Sequence, residues 1–443
     1  MHSWFALGGN IVRSTITDVK ARQVLDSKGR PVVEVDIITS DGTIGRAGAS
    51  TGTSVGANES YVLRDNNPNQ YGGLGVTKAI ENVSQKIRPA LIGMDCTNQE
   101  AIDNKMIELD GTQYLSHLGG NAVYACSIAA ARAGALCKGI PLYKHLALGE
   151  IKTIFAPAYN MINGGTYAGK TLPIQECLVI PRNIDSFSDG VRICVEIFMK
   201  LGEVIRKHQG GCAPMMGNYC GYGAPSDDVF ELFGLITEAV DALNYRDYCW
   251  FSMDCAASEF YNEKENAYLY RGRLISRDEL IKIYADLVKQ FPIGFIEDAL
   301  YEEDFEGFTI ASNTIDAILI GDDFLCTNLE RIKKAVKMHA IKGMIMKPNQ
   351  VGTITKALEA VKYMQKNNML VVGSGRAGGV IDDPVAEIAV AVGAPIMKTG
   401  APRSGERTIF TNFGLRMEEE LGGTLKIANI KNIPGFIRQH DNW

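Results

Sequence analysis

Ile293-Gly294-Phe295-Ile296-Glu297 is an apolar run of strand length that ends on an acid. Ala317-Ile318-Leu319-Ile320-Gly321-Asp322 repeats the pattern about 25 residues later, the length of one strand plus one helix. The same design recurs at Tyr248-Cys249-Trp250-Phe251-Ser252-Met253 before Asp254 and at Met344-Ile345-Met346 before Lys347. It returns at residues 369–372 before Ser374 and at 394–397 before Lys398. Strands of a parallel sheet are buried on both faces and read as continuous apolar runs, and barrel enzymes gather their chemistry at the strand ends. Three acids and two lysines so placed converge on one pocket.

A chain of 443 residues exceeds what one core fills, so two domains are expected. The net charge of -6 and pI near 5.7 argue against a nucleic-acid partner, which favours a basic stripe. No run of 18 apolar residues occurs and the start lacks a basic segment followed by a long apolar one, so neither a membrane span nor a signal peptide is expected. Ten cysteines without CxxC or zinc spacing read as free thiols in a reducing cytoplasm.

Residues 32–38 alternate, turn at Ser40-Asp41-Gly42 and resume at Thr43-Ile44, which predicts an antiparallel hairpin. A Gly/Ser/Thr-rich loop follows at 48–56, too polar to pack and long enough to move. Helical periodicity covers 78–92, 98–109 and the alanine-rich 121–138. The reading then changes from hairpin-then-helices to alternating strands and helices. Residues 1–150 are expected to form an α+β domain, and 151–443 an α/β barrel whose polar tail caps its surface.

Asp254, Glu297 and Asp322 offer hard oxygen ligands of the kind magnesium prefers. Lysine is rarely buried without a partner or a task. Beside a divalent ion its pKa is expected to fall, so Lys347 is the candidate general base. A salt bridge to one of the acids is the plainer alternative. Metal plus lysine suits removal of a proton α to a carboxylate, followed by loss of a β-leaving group. Gln175-Glu176 is the candidate acid region.

The chain resembles the enolase family over essentially its whole length. The resemblance rests on 21–31, 98–103, 107–111, Asn163-Gly164-Gly165, 253–260, Ile296-Glu297-Asp298 and Gly321-Asp322-Asp323. Lys347-Pro348-Asn349-Gln350-Val351-Gly352 and Lys398-Thr399-Gly400-Ala401-Pro402 complete it. It implies a modified (β/α)8 TIM-type barrel behind a smaller α+β N-terminal domain, and a homodimer. It places Asp254, Glu297 and Asp322 on a first magnesium, Lys347 as base, Lys398 on the substrate carboxylate and Glu176 in the acid region. Ser54 would reach a second magnesium bound with the substrate.

The departures are concentrated in half of the pocket. The family's Asp-Glu-Gly-Gly stretch is replaced by 217–225, which holds no acid, and its Ser-His-Ala-Gly loop by Thr166-Tyr167-Ala168-Gly169. Its Ser-His-Arg-Ser-Gly-Glu run becomes Ser374-Gly375-Arg376-Ala377-Gly378-Gly379, and the mobile loop is rewritten as 49–56. Gly375 and Ala377 are expected to leave room beside Arg376, with Gln175, Tyr167, Tyr219, Ser374, Arg376 and Lys398 around the substrate. This pattern predicts a magnesium-dependent dehydratase acting on a carboxylate other than 2-phosphoglycerate, such as a phosphonate or related hydroxy acid in a specialised biosynthetic pathway. Two alternatives stand beside it. One is phosphopyruvate hydratase, with Tyr219 or a water held by Glu176 replacing the missing acid. The other is a non-catalytic binding protein that kept the fold.

Overall fold

A computed structural model describes residues 14–52, 56–168, 173–422 and 425–433, with the side chains of Thr166 and Asn432 left aside. Ser54 and the tail beyond Ile433 lie outside the described residues. At the N-terminal end, β1 (Ile16–Leu25), β2 (Pro31–Thr39) and β3 (Ile44–Gly48) form an antiparallel sheet. The expected hairpin is β2–β3, with Ile38 opposite Ile44. Its apolar residues pack against α2 (Gly120–Lys138), which lies against β2 and β3 and beside α1 (Gln99–Asp110). Fifteen of the nineteen residues of α2 are buried, so alanine is used for closeness. A Cβ at Gly45 would fall 2.1 Å from the Ala129 carbonyl oxygen, which is why that position carries no side chain. The expected helix over 78–92 is continuous from Thr77 to Leu91, with a π-helical turn at Val83–Ile87.

The remainder is a closed eight-stranded barrel: β4 (Ala156–Asn163), β5 (Glu176–Pro181), β6 (Cys249–Asp254), β7 (Ile293–Glu297), β8 (Ile318–Gly321), β9 (Gly343–Met346), β10 (Leu370–Ser374) and β11 (Ile396–Gly400). Pairing of β11 with β4 closes it. Each of the six apolar runs contains one of the strands β6 to β11, and every residue of those strands is buried. The barrel is irregular at one place. β5 runs antiparallel to both β4 and β6, so its first residue, not its last, lies on the rim where the parallel strands end. None of the described helices is long and apolar enough to cross a membrane.

Candidate active site

Strand register gathers the acids. Glu176 stands opposite Asp254, Asp254 opposite Glu297, and Ser374 opposite Lys398. Asp322 and Lys347 each follow the last residue of their strands, β8 and β9. Glu176 opens the reversed strand β5, and that reversal brings it to the same rim.

Lys398 is the hub. Its Nζ lies 2.8 Å from Glu176 Oε2, 3.0 Å from Asp254 Oδ2 and 2.6 Å from Glu297 Oε2, and all four side chains are buried. Burial raises the pKa of Glu297 well above the usual carboxylate range, and the neighbouring Asp254 charge adds to it. Glu176 is raised by burial as well, against the pull of Lys398. Burial alone would lower Lys398; Asp254, Glu176 and Glu297 overcome it and hold the ammonium charged. Gln175 donates from Nε2 to Asp254 Oδ2 at 3.1 Å. Glu176 Oε1, Glu297 Oε1 and Gln175 Oε1 are buried without a hydrogen-bond partner among the described residues. Such orphaned acceptors are costly unless a cation or a polar ligand takes them up. This concentration of hard oxygen donors fits a magnesium ion, with Asp254, Glu297 and Asp322 at neighbouring strand ends.

Among the described residues a different trio of carboxylates, Asp298, Asp322 and Asp323, brings its ligand atoms within 4.8 Å of one another. Asp298 has a structural task there. Its Oδ1 accepts from Asp322 N–H at 2.9 Å and its Oδ2 from Asp323 N–H at 2.8 Å, fixing the turn that presents Asp322. Burial next to Asp322 pushes Asp298 up to about 8.

Lys347 does not show the depressed pKa expected of it. Its Nζ is paired with Asp322 Oδ2. Burial disfavours the ammonium, but the Asp322 carboxylate outweighs burial and holds the lysine above its ordinary range. The salt bridge that sequence left as the plainer alternative is present. Gln350 donates to the other Asp322 oxygen at 2.8 Å, so this acid is oriented from both sides.

The rewritten half of the pocket is filled rather than roomy. Tyr167 and Tyr219 stack at 5.2 Å between centroids and form a small apolar cluster with Ala377. A Cβ at Gly375 would meet Phe410 Cε2 at 2.8 Å, so the phenyl ring occupies the space expected to be open. Arg376 is already paired with an acid. It contacts Glu59 through Nη1 at 3.0 and 3.2 Å and Nη2 at 3.2 Å. What remains is a narrow cleft, with free room of about 10 Å³, that reaches Glu176, Lys347, Lys398, Ser374, Tyr167 and Tyr219. The residues singled out therefore meet in one place, Ser54 excepted.

The described part of the 48–56 loop packs after all: Ser50 and Thr51 are buried. Thr51 exchanges backbone hydrogen bonds with Gly378 at 3.0 and 2.9 Å, and Arg30 donates to the Gly52 carbonyl at 3.0 Å. Sequence reasoning missed Glu59, Gln350 and Arg407. Gln350 stood within a quoted motif; Glu59 and Arg407 carried no local signal, since their partners are remote in sequence.

Two family models match, one described as "Enolase, N-terminal domain" over residues 16–146 and one as "Enolase, C-terminal TIM barrel domain" over residues 152–434. The enolase of Methanopyrus kandleri is 43% identical over 417 residues, covering 93% of this chain and 97% of its own. That of Methanococcus vannielii is 42% identical over 407 residues, covering 92% and 95%. That of Methanocaldococcus jannaschii is 41% identical over 410 residues, covering 93% and 96%.

Proposed function

We propose, from the premise that this chain belongs to the enolase family and is a carbon–oxygen lyase, that it acts as phosphopyruvate hydratase, dehydrating 2-phosphoglycerate to phosphoenolpyruvate. Relatives that carry the name enolase at this identity, over more than nine tenths of the chain, favour this substrate over the specialised one read from the altered loops. The observation that carries the chemistry is the rim itself, where Glu176, Asp254 and Glu297 surround Lys398 while Lys347 stands beside Asp322.

Magnesium held by Asp254, Glu297 and Asp322 would stabilise the charge that develops on the substrate carboxylate. Lys398 would neutralise the same carboxylate from its three-acid cradle. Lys347 would take the α-proton once the Asp322 charge is engaged by another cation, because the paired lysine is too firmly protonated to act as a base. Tyr219, on the wall of the cavity, would donate a proton to the departing hydroxide, and Glu176 would hold the acid network in place. Gln175, Ser374, Arg376 and Tyr167 would line the substrate. A second magnesium arriving with the substrate, a homodimer, a cytoplasmic location and a domain division near residue 150 belong to the same reading, supported by the family resemblance.

A second reading retains the reaction and changes the substrate to a phosphonate or related hydroxy acid. The stacked tyrosines and Ala377, in place of the family's imidazole and serine, favour it. Measuring kcat/KM on 2-phosphoglycerate with saturating magnesium separates the two. A value of about 10⁴ M⁻¹s⁻¹ or more, the ordinary enzyme range, is expected. A value orders of magnitude lower would overturn the phosphopyruvate hydratase reading.

A further inference from the structure

Arg407 lies in the first turns of α3 (Gly405–Leu421), its side chain 1% exposed, and it bonds to neither the acids nor the lysines of the rim. Its guanidinium carbon sits 4.0 Å above the Tyr219 ring centroid. Nη1 donates to Tyr219 Oη at 3.3 Å and to the Arg376 carbonyl at 2.8 Å, and Nη2 donates to the Ala377 carbonyl at 2.8 Å. Nε is buried without a hydrogen bond among the described residues, with Glu406 Oε1 3.8 Å away. A fork-shaped cation thus ties the loop that carries Arg376 to the face and the hydroxyl of one tyrosine. The phenol donates its own proton to the Gly375 carbonyl at 3.3 Å, a long bond that a better acceptor can displace.

We infer that Arg407 is a positioning residue for the reaction: it fixes the Tyr219 phenol against the cavity and carries the counter-charge for the phenolate left after proton donation. This rests on the proton-donor role given to Tyr219 above. In that step the Tyr219 O–H bond breaks, its proton goes to the leaving oxygen and the product is water; the negative charge remains on Oη, beside Nη1. Desolvation raises the Tyr219 phenol, and Arg407 opposes it. The other ionisable groups acting on the phenol are Glu176, which raises it further, and Lys398 and Lys347, which lower it. Tyr167 lies against the ring. A neighbouring opposite charge commonly favours the ionised form by about one to three pKa units, so loss of Arg407 moves the phenol upward. A donor is inactive once deprotonated, and the alkaline limb of the kcat profile should therefore move to higher pH.

The experiment uses the full chain with magnesium and 2-phosphoglycerate. Tyr219→Phe should lower kcat by about 10²-fold or more, the contribution of a general acid, and remove the alkaline limb. Arg407→Gln should lower kcat and raise the limb by about one pH unit or more, and should cost nothing further in the Tyr219→Phe background. Arg407→Lys, which retains charge, should return the limb near its parent position. Equal losses from Arg407→Gln in both backgrounds, with an unmoved limb, would reduce Arg407 to a structural residue and overturn the inference. Should Arg407→Gln fail to fold, Arg407→Lys decides alone. An ammonium cannot stack and fork together, so kcat should fall with KM unchanged; an unaltered kcat would overturn the inference. A fully active Tyr219→Phe would instead sink the proton-donor reading on which the inference rests.

Discussion

Glu59→Gln should destabilise the protein by several kcal/mol, although Glu59 lies only three residues beyond the 48–56 loop that sequence reading took to be mobile. The magnitude follows from where the pair sits. Glu59 and Arg376 each leave 4% of the side chain exposed, and three nitrogen–oxygen distances fall between 3.0 and 3.2 Å. An exposed ion pair contributes about 0–1 kcal/mol. Removing one partner of a desolvated pair costs about 3–5 kcal/mol, because the other charge stays buried. Asp322 and Asp323 still attract the guanidinium, which places the expectation at the lower end, about 3 kcal/mol. Glu59 also accepts from Gln350 Nε2 at 3.3 Å, and an amide there retains only part of that contact. Urea denaturation of the parent, Glu59→Gln, Arg376→Met and the double variant closes a cycle that isolates the pair. A second arm adds inorganic phosphate. With Arg376 released from Glu59, phosphate should stabilise Glu59→Gln more than the parent, by the mass-action term for a ligand of the native state. A coupling below about 1 kcal/mol, the surface-pair range, would refute the argument, as would equal phosphate effects on both proteins.

Asp322→Ala should abolish magnesium-dependent turnover, and isothermal titration with the metal should show the affinity lost; an active variant would remove Asp322 from the ligand set. Gly375→Ala drives a Cβ into Phe410, so its thermal midpoint should drop, with overpacking costing about 1–3 kcal/mol; an unchanged midpoint would mean that the ring moves aside freely. His145 is lowered to about 4 by burial, with Lys138 adding to it. Its stabilising neutral form is fully favoured above about pH 6.5 and is lost as pH falls toward 4. Thermal midpoints of His145→Gln should therefore fall less steeply than the parent's across that window; parallel curves would refute the assignment.

The barrel was legible because parallel strands buried on both faces leave continuous apolar runs, and six of its eight strands were read that way. β4 escaped because Pro157 and Asn160 interrupt its run, and β5 because its reversal leaves no trace in composition. β1 is an outer strand with half its residues partly exposed, so ITDVKARQVL shows no alternation. Asp254, Glu297, Asp322, Lys347 and Lys398 were legible because each follows an apolar run of strand length. What joins them was not. Lys398 binds Glu297 across the barrel, Arg376 binds a glutamate of the N-terminal region, and Phe410 fills the volume that Gly375 vacates. Those are contacts between remote segments, and residue identity at one end says nothing of the other.

The central claim is that Lys347 removes the α-proton at this rim. Exchange of the α-proton of 2-phosphoglycerate with deuterated solvent, followed by NMR with saturating magnesium, tests it without reference to how the hydroxide leaves. The parent and Tyr219→Phe should both exchange, magnesium should be required, and Lys347→Ala should show no exchange above the uncatalysed rate. Exchange by Lys347→Ala at the parent rate would contradict the account and place the base elsewhere.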